Sequence, residues 1–288
     1  RDYGIDPFKI DPEQIFLGPD FLAERIEQKR LFFDLATRQM NDLHQITSEG
    51  GFTLILVDAE GYILHMLGSA ESLEFLAPTN CSPGYRWTEQ DVGTTAIALC
   101  LARRIPVQIT EKDFFCSQRE KSFVTNSASP IFGPDGRLLG VVAMTGGTEQ
   151  VHRHTLGMML TAARAIENEF KVLKKKDEIL VKNRFMQHLI ESIDQGVMIL
   201  DRQGKILQCN TPGRKILQTG EDLVGRFIQE LTGPSFHWQE ALKTSSACVD
   251  CEVFFQLHED KTIQSLCTLH AIHDATGNTE GLVFSFTK

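Results

Sequence analysis

The chain has 288 residues, 42% apolar and 23% charged, near the averages for soluble globular proteins and long enough for two domains of roughly 100–150 residues. Its 29 basic residues against 38 acidic ones leave a formal charge of −9, which argues against a nucleic-acid-binding surface in this part of the protein, because such a surface needs a basic footprint. No apolar run approaches the roughly 18–20 residues that span a bilayer, no signal-peptide pattern opens the chain, and the seven scattered cysteines make no disulfide framework, so a reducing cytoplasm is expected.

The chain opens on Arg1 rather than Met, which implies a piece of a longer protein. Apolar residues Leu22, Ile26, Phe33, Ala36, Met40, Leu43 and Ile46 recur at helical spacing and predict one helix over residues 19–47, stopped by Gly50 and Gly51. The period then changes. Phe52 to Val57, the turn Asp58-Ala-Glu-Gly61 and Tyr62 to Leu67 read as strand, tight turn, strand. Further turns of this kind are Pro134-Asp-Gly136, Asp201-Arg-Gln-Gly204 and Asp274-Ala-Thr-Gly277. Two hairpins in each half predict two antiparallel sheets with helices beside them, so the fold class is α+β.

Between the halves, residues 155–193 read as one long helix of on the order of 60 Å. Met159, Ile166, Leu173 and Leu180 lie seven apart, with Ala163 and Phe170 in the alternate seam, which predicts a parallel homodimer through the linker helices; packing of the helix on its own domain is the other reading. The expected domains are an N-terminal arm and helix at 1–48, a first sheet domain at 49–152, the linker helix at 153–190 and a second sheet domain at 191–288.

Three spaced blocks carry a family resemblance: Gly84-Tyr-Arg-Trp87-Thr-Glu89-Gln-Asp-Val-Gly93-Thr94-Thr95-Ala-Ile97, then Ile105-Pro-Val-Gln-Ile109 with Phe114-Phe115-Cys116, then Ser127-Ala-Ser-Pro-Ile131 with Pro134-Asp-Gly136. They resemble the GAF-like sensor domain of activators of acetoin-catabolism and dihydroxyacetone or glycerol operons, which are sigma-54-dependent regulators or their relatives. The second half, through Ser192-Ile-Asp-Gln-Gly196-Val-Met-Ile-Leu-Asp201, Gly204-Lys-Ile206-Leu-Gln-Cys-Asn210 and Gly281-Leu-Val-Phe-Ser-Phe286, is similar to a PAS domain. Relatives carry Asn where Thr95 stands, often Cys where Asn126 stands and commonly His near Phe114.

The resemblance implies a cytoplasmic, non-enzymatic sensor region. A missing AAA+ module and DNA-binding domain would engage DNA and sigma-54 RNA polymerase. The signal is either a small metabolite, such as a diol or hydroxyketone, or metabolic enzyme subunits docking as protein partners; no membrane and no cofactor are involved. The candidate ligand-binding residues are Trp87, Glu89, Thr94, Thr95, Phe114, Phe115, Cys116, Thr125, Asn126 and Ser127, apolar walls with a few polar anchors. Independently of the resemblance, Thr88-x-x-Asp91 can form a capping box, and Gly93-Thr94-Thr95 can begin the next helix and offer amide groups to an anion or carbonyl.

Other chemistry is weakly signalled. Cys248-x-x-Cys251 with Cys267, His270 and His273 has some metal-like spacing, but strand alternation puts Cys267 and His270 on opposite faces, so no metal site is expected. Cys81 and Cys116 allow a methionine-sulfoxide reductase reading, and a histidine-kinase sensory fragment is the remaining alternative. His188 and His237 are isolated, and no phosphate loop, Gly-x-Ser-x-Gly or His-Glu-x-x-His motif occurs.

Overall fold

The computed structural model describes residues 14–47, 50–110, 125–146, 153–219, 222–233, 236–240, 248–258 and 261–288. Two compact units result, Arg1–Asp177 and Glu178–Lys288. Each holds a five-stranded antiparallel sheet, so the class is α+β as the hairpins predict.

In the first unit the predicted first helix is two helices, α1 (Pro19–Gln28) and α2 (Arg30–Thr47). The break falls at Lys29, whose backbone leaves the helical region at φ −115° and ψ 25°. The sheet runs β2-β1-β5-β4-β3, from β1 (Thr53–Asp58), β2 (Ile63–Leu67), β3 (Val107–Thr110), β4 (Thr125–Phe132) and β5 (Leu138–Gly146). Side chains alternate across it and both faces are covered. One face presents Ile55, Val57, Ala128, Val141 and Ala143 to α4 (Glu89–Val92) and α5 (Ala96–Arg103), which follow the short helix α3 (Ala70–Leu76). The other presents Leu54, Leu56, Ile131, Val142 and Met144 to α2 and to the start of α6 (Arg153–Ser192).

Helix α6 is the predicted linker, 40 residues long. Its predicted seam is corrected in part. Met159, Ala163 and Ile166 are buried against the first unit's own sheet, and Phe170 packs on the same cluster. A seven-residue repeat does not say which surface covers the stripe, and here the sheet does so for the first turns. Further along, the predicted Leu173 and Leu180 are 36% and 45% exposed, and Val172, Ile179 and Met186 beside them, also seven apart, are 66%, 58% and 55% exposed.

The second unit's sheet runs β7-β6-β10-β9-β8, from β6 (Gly196–Asp201), β7 (Ile206–Cys209), β8 (Cys248–His258), β9 (Lys261–His273) and β10 (Thr279–Thr287). The short helices α7 (Thr211–Ile216) and α8 (Ile228–Thr232) lie between β7 and β8 in the chain. Phe255, Phe284 and Phe286 form its centre, with ring centroids 5.3–5.9 Å apart. Asn210 is fully buried and fully satisfied. Its Oδ1 accepts from the backbone N–H of Val197 and of Gly213, and its Nδ2 donates to the carbonyls of Ile190 and Gln195. One side chain thus caps α7 and ties it to the end of α6 and the start of β6.

The four hairpin turns share one device. The Oδ1 atoms of Asp58, Asp201 and Asp274 each accept two backbone N–H groups within the turn, and that of Asp135 accepts one. The glycine of each turn has positive φ, from 79° to 92°. Asx chemistry plus a residue free of the left-handed penalty is why these turns are legible in sequence. Among the described residues, no helix is long and apolar enough to cross a membrane.

Candidate functional site

Of the candidate residues, Trp87, Glu89, Thr94, Thr95 and Asn126 lie around α4, α5 and the sheet face beneath them. Trp87 is 2% exposed, and its indole Nε1 donates to the Asn80 carbonyl at 2.9 Å. It is a wall of the core shared by β1, β2, α4 and α5. Asp91 is engaged on every side. Arg86 holds it in a two-pronged ion pair, and it accepts from the backbone N–H and hydroxyl of Thr88, which is the predicted capping box. Burial pushes the Asp91 carboxyl upward, but the hydrogen bonds from Arg86 and Thr88 outweigh it and hold the group below the usual carboxylate range. Glu89 opens α4 and is half-buried.

Gly93 turns the chain at φ 72°, Thr94 is half-buried, and Thr95 is the N-cap of α5. The Thr95 hydroxyl accepts from the Ala98 N–H at 3.1 Å, so this side chain already satisfies one amide that the sequence offered to a ligand. Cys100, on the same helix, is fully buried, and burial pushes its thiol up to about 12. Such a thiol stays protonated and unreactive.

Asn126 and Ser127 are neighbours on β4 and face opposite ways. Asn126 shares the α5 side with Ala128. Ser127 turns to the other side, where its Oγ lies 2.9 Å from Thr155 Oγ1 and accepts from Gln108 Nε2 at 3.0 Å. Gln108 also donates to Thr155, which closes a triangle between β3, β4 and the start of α6. Thr125 begins β4, opposite Thr110. Phe114, Phe115 and Cys116 lie outside the described residues.

The structure adds two residues to the site that sequence reasoning missed. Thr53 pairs with Thr145 across β1 and β5, and Thr145 pairs with Asn126 across β5 and β4. All three are buried, at 1%, 4% and 3% exposure, and form a polar row across an otherwise apolar face. Thr53 donates to Ser72 at 2.9 Å. The Asn126 Oδ1 accepts no hydrogen bond. A buried acceptor left unmet costs about 1–3 kcal/mol. Strand register brings the row together, and no sequence spacing announces it.

A second feature is an open groove of the first unit between α2 and α6. Leu43, Ile46, Met158, Ala162 and Ala165 line it with Gly157. Ile46, one of the apolar residues whose spacing predicts the first helix, is 79% exposed here. In the second unit, Cys267 is buried and His270 exposed, on opposite faces of β9 as alternation requires.

A GAF domain model matches residues 34–170, and a PAS domain model matches residues 184–246. The chain is 25% identical over 289 aligned positions to a signal-transduction and transcriptional-control protein of Clostridium beijerinckii, covering 99% of this chain and 44% of that protein. It is 25% identical to the PTS-dependent dihydroxyacetone kinase operon regulatory protein of Escherichia coli, covering 89% of this chain and 40% of the relative. This chain therefore spans less than half the length of either relative. Among solved structures, the E. coli DhaR(N)–DhaL complex matches with a TM-score of 0.86 at 23% identity, over 98% of this chain and 93% of the matched one. That similarity establishes the fold.

Proposed function

We propose that this GAF–PAS chain is the signal-input region of a bacterial transcription regulator, and that its signal is a protein partner drawn from metabolism. The carrying observation is the match of nearly the whole chain to one solved regulator fragment, which was crystallised with the second protein DhaL. Two operon or transcriptional regulators align over 89% and 99% of the chain, which supports the regulatory reading. The open groove of α2 and α6, where Leu43, Ile46 and Met158 lie beside Gln39, Asp42 and His154, is a mixed surface that a docking protein could use.

A small metabolite in the GAF domain is the second reading, favoured by the unmet Asn126 acceptor above α5. There a hydroxyl of a polyol or hydroxyketone would donate to Asn126 Oδ1 beside Thr145, while Trp87 and Thr95 hold the wall. In either case the output passes through α6. The exposed apolar positions Val172, Leu173, Ile179, Leu180 and Met186 support a homodimer along that helix. A bound signal shifts the dimer between arrangements only to the extent that it binds one of them better. ATPase, polymerase and DNA contacts belong to parts of the protein other than this chain.

The testing experiment is thermal unfolding of the chain with dihydroxyacetone, acetoin and glycerol, and with each purified enzyme subunit encoded beside its gene. A true ligand at a hundredfold excess over its Kd stabilises by about 2.7 kcal/mol. A shift with an enzyme subunit alone supports the partner reading. A shift with a metabolite that Asn126→Leu abolishes supports the second.

A further inference from the structure

We propose that the groove between the end of α6 and β7 binds a small organic anion, one bearing a carboxylate or phosphate group. The groove has a volume of about 460 Å³, in the range of small-molecule sites, and every residue lining it belongs to the second unit.

Helix α6 supplies one wall. Arg184, His188 and Glu191 stand four and three residues apart, so successive turns present them on one side, and all three line the groove. Arg214 of α7 adds a second guanidinium. Leu207 and Val224 give the groove an apolar lining and are 54% and 48% exposed.

The walls are fixed without a ligand. Asn210 Nδ2 donates to the Ile190 carbonyl at 3.0 Å, and Glu191 accepts the Thr211 N–H at 2.8 Å. These two bonds hold the end of α6 against the chain that follows β7. Arg214 is tied down as well, with Nη1 donating to the Cys209 carbonyl and Nη2 to the Thr211 hydroxyl. Beside β7, the Gly225 N–H donates to the Ile206 carbonyl and the Ile206 N–H to the Arg226 carbonyl, which secures the segment carrying Val224. Walls ordered in advance lower the cost of binding.

Charge selects the ligand. The chain carries −9 overall, yet this lining sets two guanidinium groups and an imidazole against one carboxylate. That carboxylate is already engaged. The Thr211 N–H holds Glu191 below the usual carboxylate range, and the Arg214 charge adds to the effect. Asp222, close enough to act on the Cys209 thiol, accepts the Val224 N–H at 3.0 Å. Cys209 adds no charge, because burial pushes its thiol up to about 11. Arg184 and His188 are exposed and hold no hydrogen bond or ion pair among the described residues. An uncommitted guanidinium that shares a groove with an anchored one suits the fork of an oxyanion, while Leu207 and Val224 receive the ligand's carbon body. An anion bound here lies against the output helix and gives the second unit an input separate from either signal proposed for the first.

The test is isothermal titration of the 288-residue chain with succinate, benzoate and phenyl phosphate. Sodium chloride is kept at about 0.15 M to screen non-specific attraction. At least one probe should bind saturably, and comparison of the three tells carboxylate from phosphate. Arg184→Gln should weaken that binding about tenfold or more, as loss of a charge-assisted hydrogen bond implies. Glu191→Gln keeps an acceptor for Thr211 and removes a repelling charge, so it should tighten binding. Arg137→Gln, the same change of net charge in the first unit, should leave it unaltered. Binding by none of the probes, equal weakening in Arg184→Gln and Arg137→Gln, or binding of poly-glutamate alone would overturn the proposal.

Discussion

Asp58 and Asn126 are both buried polar residues, and they are opposite cases. Asp58 is fully buried and met by the Arg25 guanidinium, the Lys29 ammonium and two turn amides, while Arg25 also lies over the Tyr62 ring at 4.4 Å. Its chemistry is spent on holding α1 to the first hairpin. Asn126 has an acceptor left over. Asn126→Leu therefore leaves stability unchanged or raises it by up to about 1–3 kcal/mol in the ligand-free protein, read from the urea midpoint. His65 gives a pH test. It sits on β2 with its ring 5.8 Å from that of Phe33, and burial lowers its pKa from the ordinary 6.5. The unfolded chain then takes up the proton first, so stability falls as pH drops through about 6.5 and levels off only below the folded value. Urea midpoints at about pH 7.5 and 5.5 should fall more for the parent than for His65→Gln; equal falls would contradict the assignment.

At the scale of elements, the Asp/Gly turns were readable because turn chemistry is local, and all four hairpins form where it predicts. The break at Lys29 was not readable, since Glu27-Gln-Lys-Arg30 holds no glycine or proline and tertiary packing decides it. Only the first turns of the α6 seam pack on their own sheet, for a related reason: periodicity reveals a stripe but not what covers it. Ser127 could have been separated from Asn126 by alternation alone, whereas the Thr53–Thr145–Asn126 row needs the register of three strands. Two turn glycines yield a matched prediction. Gly136 and Gly204 both have φ 79°. A Cβ on Gly136 meets nothing within 4 Å, but one on Gly204 lies 2.4 Å from Trp238 Cζ2. Gly136→Ala should cost about 1–2 kcal/mol, the left-handed penalty alone. Gly204→Ala should cost that and a further about 1–3 kcal/mol for displacing a packed ring, measured by thermal denaturation.

For the whole molecule, the account is a two-unit input region whose shared helix carries the output. Sequence sufficed for this architecture because both halves announce themselves through turns and family blocks, and it left the signal open because the inner face of the first unit's sheet is specified by pairing. Ile179→Glu with Met186→Glu should convert a dimer to monomer in sedimentation equilibrium while the circular dichroism spectrum stays that of the folded chain, because both side chains are exposed within one chain and the dimer adds to the unfolding midpoint only by mass action. An unchanged oligomeric state would move the interface elsewhere. The central claim is most directly tested by the unfolding midpoint of the chain in the presence of each neighbouring enzyme subunit and each candidate metabolite. The account predicts that one of them raises it, with an enzyme subunit first in line. A midpoint unmoved by all of them, together with turnover of free methionine sulfoxide, would contradict it.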